Sequence, residues 1–249
     1  MSWLDSTVIR SLADRTIRIC PICHGKGVVI DGYILKNCQC VVQFKNLQRL
    51  TEAGIPERYW TFNFSDLNSK FQKDNSKVLK VLATYVKNID RNLLEGNWLY
   101  LQGHSGLAKS AIAAYVLRMA LDKNHKGYMV RLSHLTEIFF LSFEKPEYKA
   151  LVKFLEQEAD IIVVEEMDKV YAVKDSASIA GGKITQIFST WYDRKAAVIL
   201  TGNSPKTELK QVHNLSVLDR VNEAVDLVVI GESFRSKENT ESRIAKQMQ

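Results

Sequence analysis

The chain has 249 residues, 46% of them hydrophobic and 25% charged, enough to bury a sizeable core and ordinary for a soluble globular protein. No apolar run approaches the roughly 20 residues that span a bilayer. The opening MSWLDSTVIRSLADR is acidic and interrupted, unlike a signal peptide, so the expectation is a cytoplasmic protein with no membrane partner. The formal charge of +6, from 34 basic against 28 acidic residues, leans toward an anionic partner such as nucleic acid.

Residues 1 to about 17 carry Trp3, Leu4, Val8, Ile9 and Leu12 at spacings that put them on one face of a short amphipathic helix. The run CPICHGKGVVIDGYILKNCQC follows and holds all four cysteines, Cys20, Cys23, Cys38 and Cys40. In a reducing compartment such a cluster points to a metal rather than to disulfides. Two close pairs flanking a glycine-containing hairpin suit tetrahedral Zn²⁺, each pair supplying two thiolates from one turn. Cys20 to His24 also spells C-x-x-C-H, the attachment signature of c-type haem; that chemistry belongs to exported proteins and leaves the second cysteine pair without a role. Bound metal would hold together a segment with too little apolar surface to fold alone.

A basic helical stretch from Val41 to about Arg49 leads into AGIPERYW, where Gly54 and Pro56 mark a boundary. The divisions expected are an amino-terminal module over 1–50, a linker over 51–75, a large domain over 76–236 and a polar tail over 237–249. Within the large domain, residues 76–91 read as an amphipathic helix and Trp98 to Gln102 as a buried strand. The next eight residues, Gly103, His104, Ser105, Gly106, Leu107, Ala108, Lys109 and Ser110, approximate G-x-x-x-x-G-K-[ST]. In that motif backbone N–H groups cradle phosphates, the lysine neutralises them and the hydroxyl reaches Mg²⁺. Ala108 stands where the pattern has its second glycine, and its Cβ becomes a burden if the backbone takes positive φ there. Lys109 to Lys123 reads as the helix whose N-terminus faces the phosphates.

Gly127 to Ser133 has strand character, Leu135 to Phe143 and Tyr148 to Ala159 helical character. The run Asp160 to Asp168 is a buried strand ending in acids, Glu165 and Glu166 among them. Glu165 is the expected Mg²⁺ residue and Glu166 the one that orients or deprotonates a water. SASIAGGK (176–183) reads as a flexible loop and Lys183 to Arg194 as a helix. Ala197 to Leu200 is a further strand, tipped by Asn203, which is placed to hold the lytic water. Alternating strands and helices predict a parallel sheet covered on both faces. Arg220, on a later helix, is a candidate arginine finger acting on a neighbouring subunit's nucleotide. Lys123, Lys126, Arg131 and Phe139 to Phe143 are candidates for single-stranded DNA contact, although a phenylalanine pair on a helix is more often core.

The blocks CPICHGKG…CQC, AGIPERYW, GHSGLAKS, IIVVEE, VILTGNSP and VLDRV…VVIGESFR, in that order, resemble the AAA+ helicase loaders of bacteria and their phages. This is the DnaC/DnaI type, related to the IstB transposition ATPases, and the resemblance covers most of the chain. It implies an α/β AAA+ P-loop core with a five-stranded parallel sheet in the order 5-1-4-3-2, and ATP/ADP and Mg²⁺ as ligands. Lys109, Glu166, Asn203 and Arg220 then have catalytic roles, Asn203 as sensor, with Arg220 or Arg235 facing a nucleotide across an interface. The zinc module is expected to grip a replicative DNA helicase. The core is expected to self-associate into a ring or open spiral of about six subunits and to hold single-stranded DNA. IstB-type proteins generally lack such a cysteine module. The alternatives are a target-selecting transposition ATPase on duplex DNA and a nucleotide-gated adaptor. Ala108 and Glu165 depart from the family pattern, Asp being usual at the metal, so slow hydrolysis is expected.

Overall fold

A computed structural model describes residues 6–169 and 179–234. Five strands form a parallel sheet: β3 Leu99–Gln102, β4 Gly127–Arg131, β5 Ile161–Glu165, β6 Ala197–Gly202 and β7 Val225–Val228. The spatial order is β4-β5-β6-β3-β7, which counted from the first core strand is the 5-1-4-3-2 order expected. Registers such as Val163 opposite Ile199 and Leu101 opposite Thr201 and Leu227 align the carboxyl ends of β3, β5 and β6 at one rim.

Side chains alternate across this sheet, because successive residues of a strand point to opposite faces. Leu99, Leu101, Met129, Ile161, Val163, Ala197 and Ile199 pack with α4 Ser76–Lys87, α5 Ile89–Glu95 and α6 Lys109–Asp122. Tyr100, Tyr128, Val130, Ile162, Val164, Val198 and Leu200 pack with α7 Leu132–Leu141, α8 Pro146–Gln157, α9 Ile179–Asp193 and α10 Leu215–Glu223. Helices on both faces explain why β5 reads as an unbroken apolar run.

Several predicted elements have other bounds. The helix expected over 76–91 breaks at Asn88 (φ −106°, ψ 32°), and α5 begins there. The strand expected through Ser133 stops at Arg131, since Leu132, Leu135, Ile138 and Phe139 recur at helical spacing and are all buried. The amino-terminal helix is α1 Ser6–Asp14; Trp3 and Leu4, like 176–178 of the expected loop, lie outside the described residues, while 179–183 of that loop are the start of α9 and not a loop.

The cysteine segment folds as an antiparallel hairpin, β1 Val28–Asp31 with β2 Ile34–Asn37, followed by α2 Gln39–Glu52. Arg49 of α2 donates to the Leu121 carbonyl at 2.7 Å and to Asp122 at 2.6 Å at the end of α6. Beyond α2 the chain runs along the sheet edge. The Met129 N–H of β4 donates to the Ala53 carbonyl at 2.8 Å, and a Cβ on Gly54 (φ 69°) would lie 2.5 Å from the Met129 carbonyl oxygen. Short α3 Ser69–Asp74 completes the approach to the core. The buried Arg118 guanidinium of α6 clasps this stretch, donating to the carbonyls of Tyr59, Trp60 and Phe62 and to Asn63 Oδ1.

Candidate nucleotide site and cysteine metal centre

At the carboxyl rim of the sheet, β3 passes into the loop 103–108 and then into α6. Gly103 sits at φ 144°, where a Cβ would come within 2.1 Å of the Val229 carbonyl oxygen, and Gly106 at φ 86°. Ala108 takes φ 56°, ψ 12° immediately before α6. The left-handed backbone that the motif's glycine accommodates is therefore adopted by an alanine, at a cost of about 1–2 kcal/mol. No side chain caps α6, leaving its N-terminal N–H groups to an incoming anion.

Lys109 is buried, and its Nζ donates to the carbonyls of Gly103 and His104 and, at 3.1 Å, to Asn203 Oδ1. The predicted loop lysine and the predicted sensor amide, far apart in sequence, thus touch. Ser110 hydrogen-bonds the buried Glu165 at the tip of β5. Burial pushes the Glu165 carboxyl above the usual carboxylate range, opposed by the Ser110 hydrogen bond and by the positive field of Arg131. A serine hydroxyl beside a buried acid is the donor set that Mg²⁺ requires next to a phosphate loop. Glu166 has φ 62° and its Oε1 accepts from Lys169 Nζ at 2.9 Å. That pair is solvent-exposed, and such pairs contribute about 0–1 kcal/mol, so the carboxylate is easily released.

These groups surround a cavity of about 700 Å³ lined by the loop, Glu166, Asp168, Thr201 and Asn203. Further lining residues not legible in the sequence as nucleotide residues include Arg58 and Tyr59 from the linker, Arg131 from the end of β4, Lys169 just beyond β5, and Phe234. The general signal for Arg131 was its place at the carboxyl end of a parallel strand, where ligands of open α/β sheets bind. Phe234 is held over the loop because its N–H donates to the Gly106 carbonyl at 3.0 Å, while Asn75 pairs with both backbone groups of Ile230. Asp168 enters the cavity wall with Oδ1 buried and without a partner among the described residues.

Arg220 does not approach this cavity. It lies near Trp98, at the opposite end of β3, donating to the Ser216 carbonyl and hydroxyl at 2.6 and 2.8 Å, with its guanidinium over the Tyr192 ring. Arg235 lies outside the described residues. Of the DNA candidates, Lys123 pairs with Asp90 and Lys126 with Glu158, Phe139 is buried in the core, and Phe143 is exposed.

The four cysteine sulfurs lie within 4.8 Å of one another and all four residues are buried. Cys20 and Cys38 sulfurs are 3.7 Å apart and those of Cys23 and Cys40 3.5 Å. Tetrahedral Zn–S bonds of about 2.3 Å place sulfurs roughly 3.8 Å apart, so the cage fits that ion. Both pairs converge on one point, which accounts for the second pair that a haem attachment leaves idle. The Gly27 N–H donates to Cys23 Sγ at 3.2 Å, and backbone N–H groups of Cys23 and Ile22 lower the Cys20 thiol to about 7. Ile17, Val29 and Val41 are the partly buried apolar residues packed against the cluster.

No protein-family model and no curated sequence matches the chain. Solved structures do. The crystal structure of a DnaC helicase loader superposes with a TM-score of 0.55 at 20% identity, over 70% of this chain and 100% of that one. A DnaI crystal structure gives 0.57 at 14% identity, over 72% and 94%. A putative primosome component from Streptococcus pyogenes serotype M3 gives 0.53 at 18% identity, over 75% and 98%. The large domain therefore shares the fold of these DnaC and DnaI structures, a five-stranded parallel sheet flanked by helices with a phosphate-loop-like turn after β3, and is joined to an amino-terminal four-cysteine cluster able to chelate a metal.

Proposed function

We propose that the protein is an ATP-dependent loader that binds a hexameric replicative helicase and deposits it on single-stranded DNA at replication initiation. The observation that carries this reading is the meeting of Lys109 with Asn203 at 3.1 Å, beside the Ser110–Glu165 pair, in a fold shared with the DnaC helicase loader. In the proposed cycle the α6 N-terminus and Lys109 bind the phosphates. Ser110 and Glu165 would hold Mg²⁺, which when bound neutralises charge on the terminal phosphates. Glu166, once released from Lys169, accepts the proton of the attacking water, and Asn203 fixes that water while its contact with Lys109 reports the state of the loop. Arg220, remote from its own chain's loop, serves a neighbour's nucleotide in a ring or spiral.

The module over 1–50, with zinc held by Cys20, Cys23, Cys38 and Cys40, is the part assigned to the helicase. Its hairpin leaves Ile30, Tyr33, Ile34 and Leu35 exposed, and contiguous exposed apolar side chains mark association surfaces. The left-handed Ala108, and Glu165 where Asp is usual at the metal, favour slow hydrolysis, with nucleotide binding as the principal switch. The test is to purify the full chain with a replicative helicase and follow helicase transfer to single-stranded DNA with and without ATP. ATP-dependent transfer, lost in Lys109→Ala, is the expected result. Tight ATP binding with no helicase association would instead favour a nucleotide-gated adaptor.

A further inference from the structure

Four cationic side chains line the nucleotide cavity: Arg58, Lys109, Arg131 and Lys169. Lys109 is engaged by loop carbonyls and Asn203, and Lys169 by Glu166. Arg58 lies against the ring of Tyr59, its guanidinium carbon 4.7 Å from the centroid. Arg131 differs from these three. It is exposed, and its guanidinium makes no hydrogen bond and no ion pair within 4 Å among the described residues. Its positive field reaches Glu165 opposite it, but no hydrogen bond or ion pair among the described residues occupies the guanidinium.

Its position is fixed by the sheet. Arg131 is the last residue of β4 and stands directly opposite Glu165, the last residue of β5. A polyphosphate bound at the α6 N-terminus, beyond β3, and running along the cavity would cross the tips of β6 and β5, where Asn203 and the Ser110–Glu165 pair lie. The end of β4 comes next along that line, past the acids. A guanidinium there meets the terminal phosphate and not the phosphates nearer the base.

We propose that Arg131 reads the γ-phosphate in cis, so that a single chain distinguishes nucleoside triphosphate from diphosphate before any neighbour contributes an arginine. The assignment rests on the nucleotide reading of the cavity and adds to it a discriminating residue. It also gives a physical account of how a loop burdened by Ala108 retains triphosphate: the missing stabilisation from close backbone contact is supplied from the other side of the cavity.

The experiment compares equilibrium binding of ADP and of a β,γ-non-hydrolysable ATP analogue, both with Mg²⁺, to the full chain and to Arg131→Ala and Arg131→Lys. Charge-assisted hydrogen bonds predict that Arg131→Ala weakens the triphosphate about tenfold or more while ADP changes less than about twofold. Arg131→Lys, which keeps the charge but not the fork, falls between. The side chain is exposed, so matched thermal melting of all three proteins is expected. An unchanged triphosphate-to-diphosphate ratio in Arg131→Ala overturns the role of Arg131 alone. The same ratio with loss of single-stranded DNA binding would assign the residue to DNA. Failure of the unaltered chain to bind either nucleotide would overturn the reading of the cavity itself.

Discussion

Lys109 Nζ donates to Asn203 Oδ1 at 3.1 Å, tying the first residue of α6 to the turn after β6. The same ammonium donates to the Gly103 and His104 carbonyls. A cation held in place before the ligand arrives needs little reorganisation when a phosphate binds beside it. Lys109→Ala is expected to weaken ATP binding by about 1.5–3 kcal/mol, a factor of about 10 to 150 in dissociation constant, measured by titration calorimetry. Unaltered affinity would remove Lys109 from the site.

Ala108 offers a test with the opposite sign. Glycine at φ 56° escapes the penalty paid by a side chain there, at the expense of greater freedom in the unfolded chain. Ala108→Gly is expected to raise the melting temperature by about 2 °C, since about 1 kcal/mol shifts a domain of this size by that order. A faster ATP turnover should accompany it. A lower melting temperature would mean that the Cβ contributes packing that outweighs the strain.

His213 supplies a pH dependence. It is buried, its Nε2 faces the Met167 carbonyl at 2.6 Å, and its Nδ1 is buried without a partner among the described residues. Nε2 therefore carries the proton of the neutral ring, and a second proton on Nδ1 would have no acceptor. Burial accordingly lowers the His213 pKa below its ordinary 6.5, outweighing the Met167 hydrogen bond and nearby Asp168. With the folded value below the unfolded one, the unfolded chain binds the extra proton. Stability is complete above about pH 6.5 and declines as pH falls below it, toward the folded value. Thermal melts from pH 7.5 to 5 should show this decline, and His213→Gln should flatten it; parallel slopes would exclude His213 as the source.

The cysteine cage predicts a divisible stability. Its packed apolar partners are Ile17, Val29 and Val41, each only partly buried, so the fold between α1 and α2 depends on the metal. Cys23→Ala, or chelation, is expected to abolish stoichiometric zinc and open the segment around 16–40 to protease. The melting of the large domain should change by less than about 3 °C. Metal analysis with limited proteolysis checks both, and joint unfolding of the two parts would show that the core depends on the cage.

Much of this was legible because burial writes itself into the chain. Ile161–Val164 and Ala197–Leu200 are covered on both faces and run apolar without interruption, and the cysteines stand in pairs because one turn supplies two ligands. The break at Asn88 was hidden, since nothing in its residue type forbids a helix there. Leu132 was misread because an apolar run has the same appearance at the end of a strand and at the start of a buried helix. Arg131 and Lys169 were illegible as cavity residues for a different reason. Only the order of strands in the sheet brings them beside a loop that precedes them by more than twenty positions. The clasp of Arg118 on the linker carbonyls belongs to the same class, a contact made by topology between a helix and a segment that sequence alone presents as a connector.

The bond from the Met129 N–H to the Ala53 carbonyl fastens the chain leaving the cysteine module to the middle of β4. Two residues further along that strand is Arg131. With Gly54 pressed too close to Met129 for any side chain to intervene, there is no slack between the arm and the sheet edge. If the module holds a cargo as proposed, tension on the arm would be delivered to β4, whose tip borders the proposed nucleotide cavity.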